Sequence, residues 1–263
     1  MKSSSEIEEI CIEYNIINYT INDDGSIDVN GDVSLYRKLT ELPLNFNKVT
    51  GYFNCSYNEL TTLKGSPKYV GGDFNCESNK LTSLEFGPIE VGGNFYCGYN
   101  ELTSLEFSPK KVGGNFTCND NKLTSLEFSP KEVGGNFYCD HNSKLTSLEH
   151  GPKKVGRDFS CTNNNLTSLE FSPKEVGGSF ICSNNPKLTN LYGISDNING
   201  LFYCYDTPLG SIFNDVGIDF IRAFNVYRVI KDDKVVLKRL KYVMETFDMK
   251  YDLEKIKEHY EIN

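Results

Sequence analysis

Nine cysteines and three histidines are the residues of this chain whose chemistry could go beyond packing. Thiolates and imidazoles bind zinc, a cysteine beside a histidine makes a nucleophile and base, and paired cysteines form disulfides. Spacing decides among these. With Cys97 as origin, cysteines recur at Cys55, Cys76, Cys118, Cys139, Cys161, Cys182 and Cys204, in steps of 21, 21, 21, 21, 22, 21 and 22 residues. Zinc ligands come in pairs roughly two to four residues apart, or converge on a tetrahedron, and a linear ladder offers neither. One cysteine per turn puts neighbours on adjacent parallel strands about 4.8 Å apart, too far and wrongly aimed for the ~3.8 Å Cβ approach of a disulfide. The eight are expected as buried, reduced thiols packing as small hydrophobes, which suits a reducing cytosol. His141, His150 and His259 share no spacing with a serine, cysteine or aspartate that would make a triad or a metal site. No catalytic residue, metal or cofactor is therefore expected.

What positions the cysteines is a repeat, and a fixed period of about 20–30 residues signals a solenoid. Two residues before each cysteine stands a phenylalanine (Phe53, Phe74, Phe95, Phe116, Phe137, Phe159, Phe180, Phe202). Phe-x-Cys alternation predicts a short strand with both side chains inward. Three residues after each cysteine comes an asparagine, from Asn58 to Asn185, with Thr207 in the last turn. Two leucines follow, as in Leu102 and Leu105, then a proline such as Pro109, then a valine and a Gly-Gly pair expected to allow tight re-entry through positive φ. The 22-residue steps are single insertions at Ser143-Lys144 and Pro186-Lys187. Gly-Gly-Asn lacks the Gly-Lys-Ser/Thr ending of a phosphate loop and opens no helix.

This wording resembles the leucine-rich repeat, whose strand reads L-x-x-L-x-L-x-x-N-x-L. Phe95 and Cys97 take the strand leucines, Asn100 the asparagine and Leu102 the next leucine. The resemblance covers about three quarters of the chain, and the short turns with Cys-x-x-Asn-x-Leu-Thr-Ser-Leu-Glu look most like bacterial and bacteriophage-encoded repeats. It implies an α/β solenoid, mostly β: a horseshoe with one parallel sheet of about nine short strands, an extended convex side, and helical caps. It also implies that the asparagines bond backbone in the turn after the strand.

Three segments are expected: a cap over 1–26, the array over 27–216 and a helical cap over 217–263. In the first, residues 3–15 predict an amphipathic helix, and Asn22-Asp-Asp-Gly25 predicts a hairpin. Leu35 stands in the cysteine phase, one residue short. In the last, Val226–Ile230 is expected as a strand, Asp232 and Asp233 as the cap of a helix through Phe247, and Asp252 as the start of another. The net charge of −9 argues against nucleic acid or an anionic membrane, no apolar run could span a bilayer, and the N-terminus lacks the apolar core of a signal peptide.

Function is expected on the residues between the ladder positions, at −3, −1, +1 and +2 from each cysteine, which in this family pave the concave face. Of these 32 positions none is Lys or Arg and six are Asp or Glu, although Lys and Arg make up 27 of the 263 residues. Tyrosine with Asn, Ser and Asp is the composition of a paratope. The candidate partner-binding residues are Tyr52, Tyr57, Asp73, Glu77, Tyr96, Tyr99, Asp120, Tyr138, Asp140, His141, Asp158, Tyr203, Tyr205 and Asp206. The expected function is non-enzymatic binding of a basic or neutral protein surface in the cytosol. If phage-encoded, the target would be a host protein, such as a defence component. The alternatives are a self-assembling or virion component and, less favoured, the recognition array of an effector enzyme. A second phase, Phe86, Phe107, Phe128 and Phe171, shares its place with Gly65, His150 and Gly193. It either closes the convex core or presents an apolar strip for self-association; a monomer is the expectation.

Overall fold

The computed structural model describes residues 2–36, 38–195 and 197–263. The Phe-x pair of every turn is a two-residue strand, from Phe53–Asn54 through Phe95–Tyr96 and Phe137–Tyr138 to Phe202–Tyr203. With Val33–Ser34 as the degenerate first turn, they make a nine-stranded parallel sheet in which phenylalanine pairs with phenylalanine (Phe95 with Phe116, Phe116 with Phe137). Val33 pairs with Phe53, so Leu35 does occupy the cysteine phase.

The return segment carries a second sheet that the periodicity did not announce. The valine before each glycine pair lies in its own two-residue strand, as in Glu90–Val91, Lys111–Val112 and Glu132–Val133. These strands also stack in parallel, continuing from the hairpin of β1 (Tyr19–Ile21) and β2 (Ile27–Val29) into a second nine-stranded sheet. The molecule is thus a β-solenoid of about eight turns with a sheet on two of its sides, rather than one sheet with an extended convex return. Both sheets advance one strand per turn.

Between them lies a core of repeated layers. Phe95, Cys97, Leu102, Leu105 and Val112 are buried, as are their counterparts in the other full turns. The phenylalanine rings stack along the axis with centroids 5.3–5.7 Å apart from Phe53 to Phe159, within the favourable range for aromatic pairs. All nine cysteines are free and buried, and burial raises every ladder thiol, Cys55 and Cys204 to about 12. The glycine pairs do not supply positive φ. They permit close approach instead: a Cβ on Gly113 would lie 2.1 Å from the carbonyl oxygen of Gly92 in the preceding turn.

The flanks add to this core at both ends. Helix α1 (Ser4–Glu13) is capped reciprocally by Ser3 and Glu6 and sends Ile7 and Cys11 into the core. At the other end the chain departs from the expected pattern. Residues through Val226 are helical, in α2 (Ile218–Val226), not a strand. Asp232 and Asp233 both have positive φ and form the two-residue loop of a hairpin between Ile230–Lys231 and Lys234–Val235. They cap nothing: α3 (Leu237–Thr246) starts after Val236 with no side-chain cap. Asp252 does cap α4 (Leu253–Lys257), accepting from the backbone of Glu254 and Lys255. The chain ends in a strand, Glu261–Ile262, parallel to Lys234–Val235. Tyr260 ties this region to the array by donating its hydroxyl to the Thr189 carbonyl at 2.6 Å.

Candidate binding face

The asparagine ladder sets the edge of the outward face. Asn100 donates from Nδ2 to the carbonyls of Cys97 (3.2 Å), Gly98 (3.0 Å) and, one turn back, Cys76 (3.0 Å), while its Oδ1 accepts the Leu81 N–H at 3.0 Å. Each buried asparagine therefore closes its own turn and clamps it to the previous one. In the last turn the Thr207 hydroxyl substitutes, donating to the Cys204 carbonyl.

A second clamp occupies the −3 position. Asp73 Oδ1 accepts the backbone N–H of Asn94, Asn94 that of Asn115, Asn115 that of Asn136, Asn136 that of Asp158, and Asp158 that of Ser179, at 2.7–2.9 Å. Asp73 and Asp158, counted among the binding residues from sequence, thus serve the scaffold. Side-chain acceptors (Asn, Asp, Ser) in one phase were the available sign of this role.

The +2 residues are not strand residues either. All eight have φ between 52° and 56°, which is left-handed backbone. Asn163, Asn184, Asp120 and Asp206 suit that conformation, whereas Tyr57 and Tyr99 occupy it against preference and are 78% and 55% exposed. This tight turn swings the +2 side chain outward from the edge of the sheet.

What remains forms one central patch over four turns: Glu77, Tyr96, Tyr99, Asp120, Tyr138, Asp140 and His141. Burial and the negative charges of Asp73 and Glu77 raise the Tyr96 hydroxyl, and Asp120 raises Tyr99. Tyr138 is raised by burial and by Asp158 and Asp140. Burial also holds the Glu77 carboxyl above its ordinary value. Asp140 is raised by burial, against the opposing pull of the Ser160 hydroxyl and the Thr162 N–H that donate to it. His141 lies with Nδ1 4.0 Å from Asp120 Oδ1 and Nε2 3.0 Å from Asn163 Nδ2. The other candidates lie apart. Tyr52 and Tyr57 stand one turn before the patch, with Tyr52 near Ser34. Tyr203 and Tyr205 stack at 6.4 Å in the last turn beside Asp206, and the Tyr205 hydroxyl donates to Asp215, which lifts it to about 12.

The Phe86 phase is resolved as a strip, not core. Phe86, Phe107, Phe128 and Phe171 are 52%, 52%, 50% and 42% exposed, each with φ of 66–69°. Each is the third residue of a β-turn closed by the residue after it, as in Ser108 N–H to the Leu105 carbonyl at 3.0 Å. Positive φ at this place in a turn favours glycine, and Gly65 and Gly193 take it in two other turns.

Compared with protein-family models, with curated proteins and with solved structures, the chain matches none. The fold description therefore stands on the register of its two sheets. Among the described residues no group of three or more His, Cys, Asp or Glu could hold a metal ion, and no helix is long and apolar enough to cross a membrane.

Proposed function

We propose that this chain is a non-enzymatic scaffold of the leucine-rich repeat kind, and that its central patch binds a lysine- or arginine-bearing segment of a protein partner. The observation that supports it is the pairing of partly buried tyrosines with carboxylates on a face whose outward strand positions hold no lysine or arginine. Glu77 and Asp140 sit in partly desolvated positions, where burial raises both carboxyls and a neighbouring cation would offset the cost of ionising them. A guanidinium or ammonium group laid between Tyr96, Tyr99 and Tyr138 would gain ring-face attraction and neutralise that charge. Nucleic acid is disfavoured, because phosphates need lysine and arginine to neutralise them.

The likeness of the repeat wording to phage proteins extends the proposal: a phage-encoded protein acting in the host cytosol on a host protein, with a defence component as one such target. The test uses peptide arrays graded in lysine and arginine content, at low and moderate salt. Binding should rise with cationic content, weaken with salt, and disappear in Y96A/Y99A/Y138A, with thermal stability little changed. Binding indifferent to peptide charge, or retained by the triple variant, would place the site elsewhere.

A further inference from the structure

The phenylalanine strip has features that the fold does not require. The turn it occupies forms equally well with glycine at residues 65 and 193, so phenylalanine is not needed to make the turn. A phenylalanine there holds its backbone in the left-handed region and leaves about half of each ring in water. Both features disfavour the isolated chain.

The charges on either side of the strip differ from those elsewhere on the surface. Where signs alternate from turn to turn, neighbours pair: Glu59 with Lys80 and Lys154 with Glu175 at 2.8 Å, and Glu101 with Lys122. Beside the strip the signs do not alternate. The residue before each ring is an exposed glutamate (Glu85, Glu106, Glu127, Glu170), and Glu149 precedes His150 in the same row. Three residues after the ring position, beyond a buried proline, stands Ile89 in the Phe86 turn and lysine in the next four turns: Lys110, Lys131, Lys153 (after His150) and Lys174. Those four lysines and the four glutamates before the rings have no ion pair among the described residues, although Lys131 Nζ donates to the His150 carbonyl at 3.0 Å, and the Glu149 carboxylate pairs with His150 at 3.5 Å. Like charges in each row stand one strand spacing apart, roughly 4.8 Å, which is repulsive.

Over the turns from Phe107 to Phe171 the strip lies between a row of glutamates and a row of lysines, and such a surface is self-complementary under one operation. We propose that a second copy of this chain docks on the strip, related by a two-fold axis parallel to the solenoid axis. That rotation lays phenylalanine on phenylalanine and puts each glutamate row opposite the partner's lysine row. A two-fold across the solenoid would instead put glutamate on glutamate. The size is adequate: half of about 200 Å² for each of four rings is about 400 Å² of apolar surface per protomer. The flanking rows bring the contact toward the ~800 Å² per partner of a standard interface. The closed symmetry makes a dimer, not a fibre, and leaves the tyrosine patch free.

Sedimentation equilibrium of the purified chain tests this. The wild type should be a dimer at micromolar concentration. F107N/F128N should be monomeric and still folded, since asparagine tolerates left-handed backbone and is polar. A chain with Lys110, Lys131, Lys153 and Lys174 changed to Glu should be monomeric. So should one with Glu106, Glu127, Glu149 and Glu170 changed to Lys, and an equimolar mixture of the two should form heterodimers. A monomeric wild type at tens of micromolar would overturn the proposal, even if the strip were found to bind another protein. So would dimers that persist in F107N/F128N, or charge-reversed chains that fail to pair when mixed. None of these changes touches Tyr96, Tyr99 or Tyr138, so the outcome is independent of cation binding by the patch.

Discussion

Replacing Asn100 by alanine and, separately, by aspartate isolates what one rung of the asparagine ladder contributes. In N100A the three carbonyls that Asn100 serves each keep another donor: Cys76 from Asn79, Cys97 from Asn121, and Gly98 from the Ser78 N–H. Only the Leu81 N–H loses its sole acceptor. One orphaned buried donor costs about 1–3 kcal/mol, and the loss of three secondary bonds to carbonyls that remain satisfied adds about half a kcal/mol each, so N100A should lose about 2.5–4.5 kcal/mol. Aspartate is nearly isosteric and still accepts from Leu81, but it replaces the donating amide with a carboxylate oxygen facing three carbonyls at 3.0–3.2 Å. At neutral pH N100D should therefore be less stable than N100A. Its carboxyl would have a raised folded-state pKa, so stability should be recovered as pH falls and the acid regains a proton to donate. Urea unfolding followed by circular dichroism, at neutral and mildly acid pH, measures both. N100D as stable as wild type at neutral pH would mean that the amide is not oriented as described and that the ladder does not clamp turns.

Native protein should not react with a thiol reagent at any of its nine cysteines, and unfolded protein should react at all of them. With Cys55 at about 12, only about one thiol in ten thousand is ionised at pH 8, before access is considered; rapid native labelling of a ladder cysteine would contradict its burial. For Glu77 and Asp140, whose folded-state pKa values are raised, the stabilising contribution is full below the ordinary carboxylate range and lost as pH rises through the raised values. E77Q/D140N should accordingly be at least as stable as wild type at pH 7, with any advantage fading toward pH 4, while binding to cationic peptides falls; a variant clearly less stable at pH 7 would refute the desolvated-charge argument.

The sequence made the interior legible because one residue type fills one phase turn after turn. Phe, Cys, Leu, Leu and Val fall inward by repetition, the asparagines through the resemblance to leucine-rich repeats, and in the structure all are buried. The second sheet was hidden because each of its two-residue strands offers a single inward residue, and an exposed charged residue followed by valine reads equally as a loop touching the core. The −3 clamp was missed because Asp73 and Asp158 are acidic and outward, so charge overshadowed their capacity to accept a backbone N–H. The left-handed turn at Phe107 did leave a sign, in Gly65 and Gly193, but a bulky aromatic in the same phase argued against it. Asp232-Asp233 before an apolar run matches a helix cap and a hairpin loop equally well in sequence. Only the pairing of Ile230 with Val235 separates them.

Both clamps have a polarity. Every −3 acceptor takes its hydrogen from the following turn, and every ladder asparagine reaches back to the preceding one. A turn is therefore recognised by its neighbours through backbone groups, whichever side chains it shows outside. A whole turn can be copied or removed without any rung meeting an unfamiliar partner, and the length of the array changes by about 4.8 Å each time. Reach and surface chemistry can then be inherited separately: the number of turns sets how far the molecule extends, and substitutions in the outward positions set what it meets along the way.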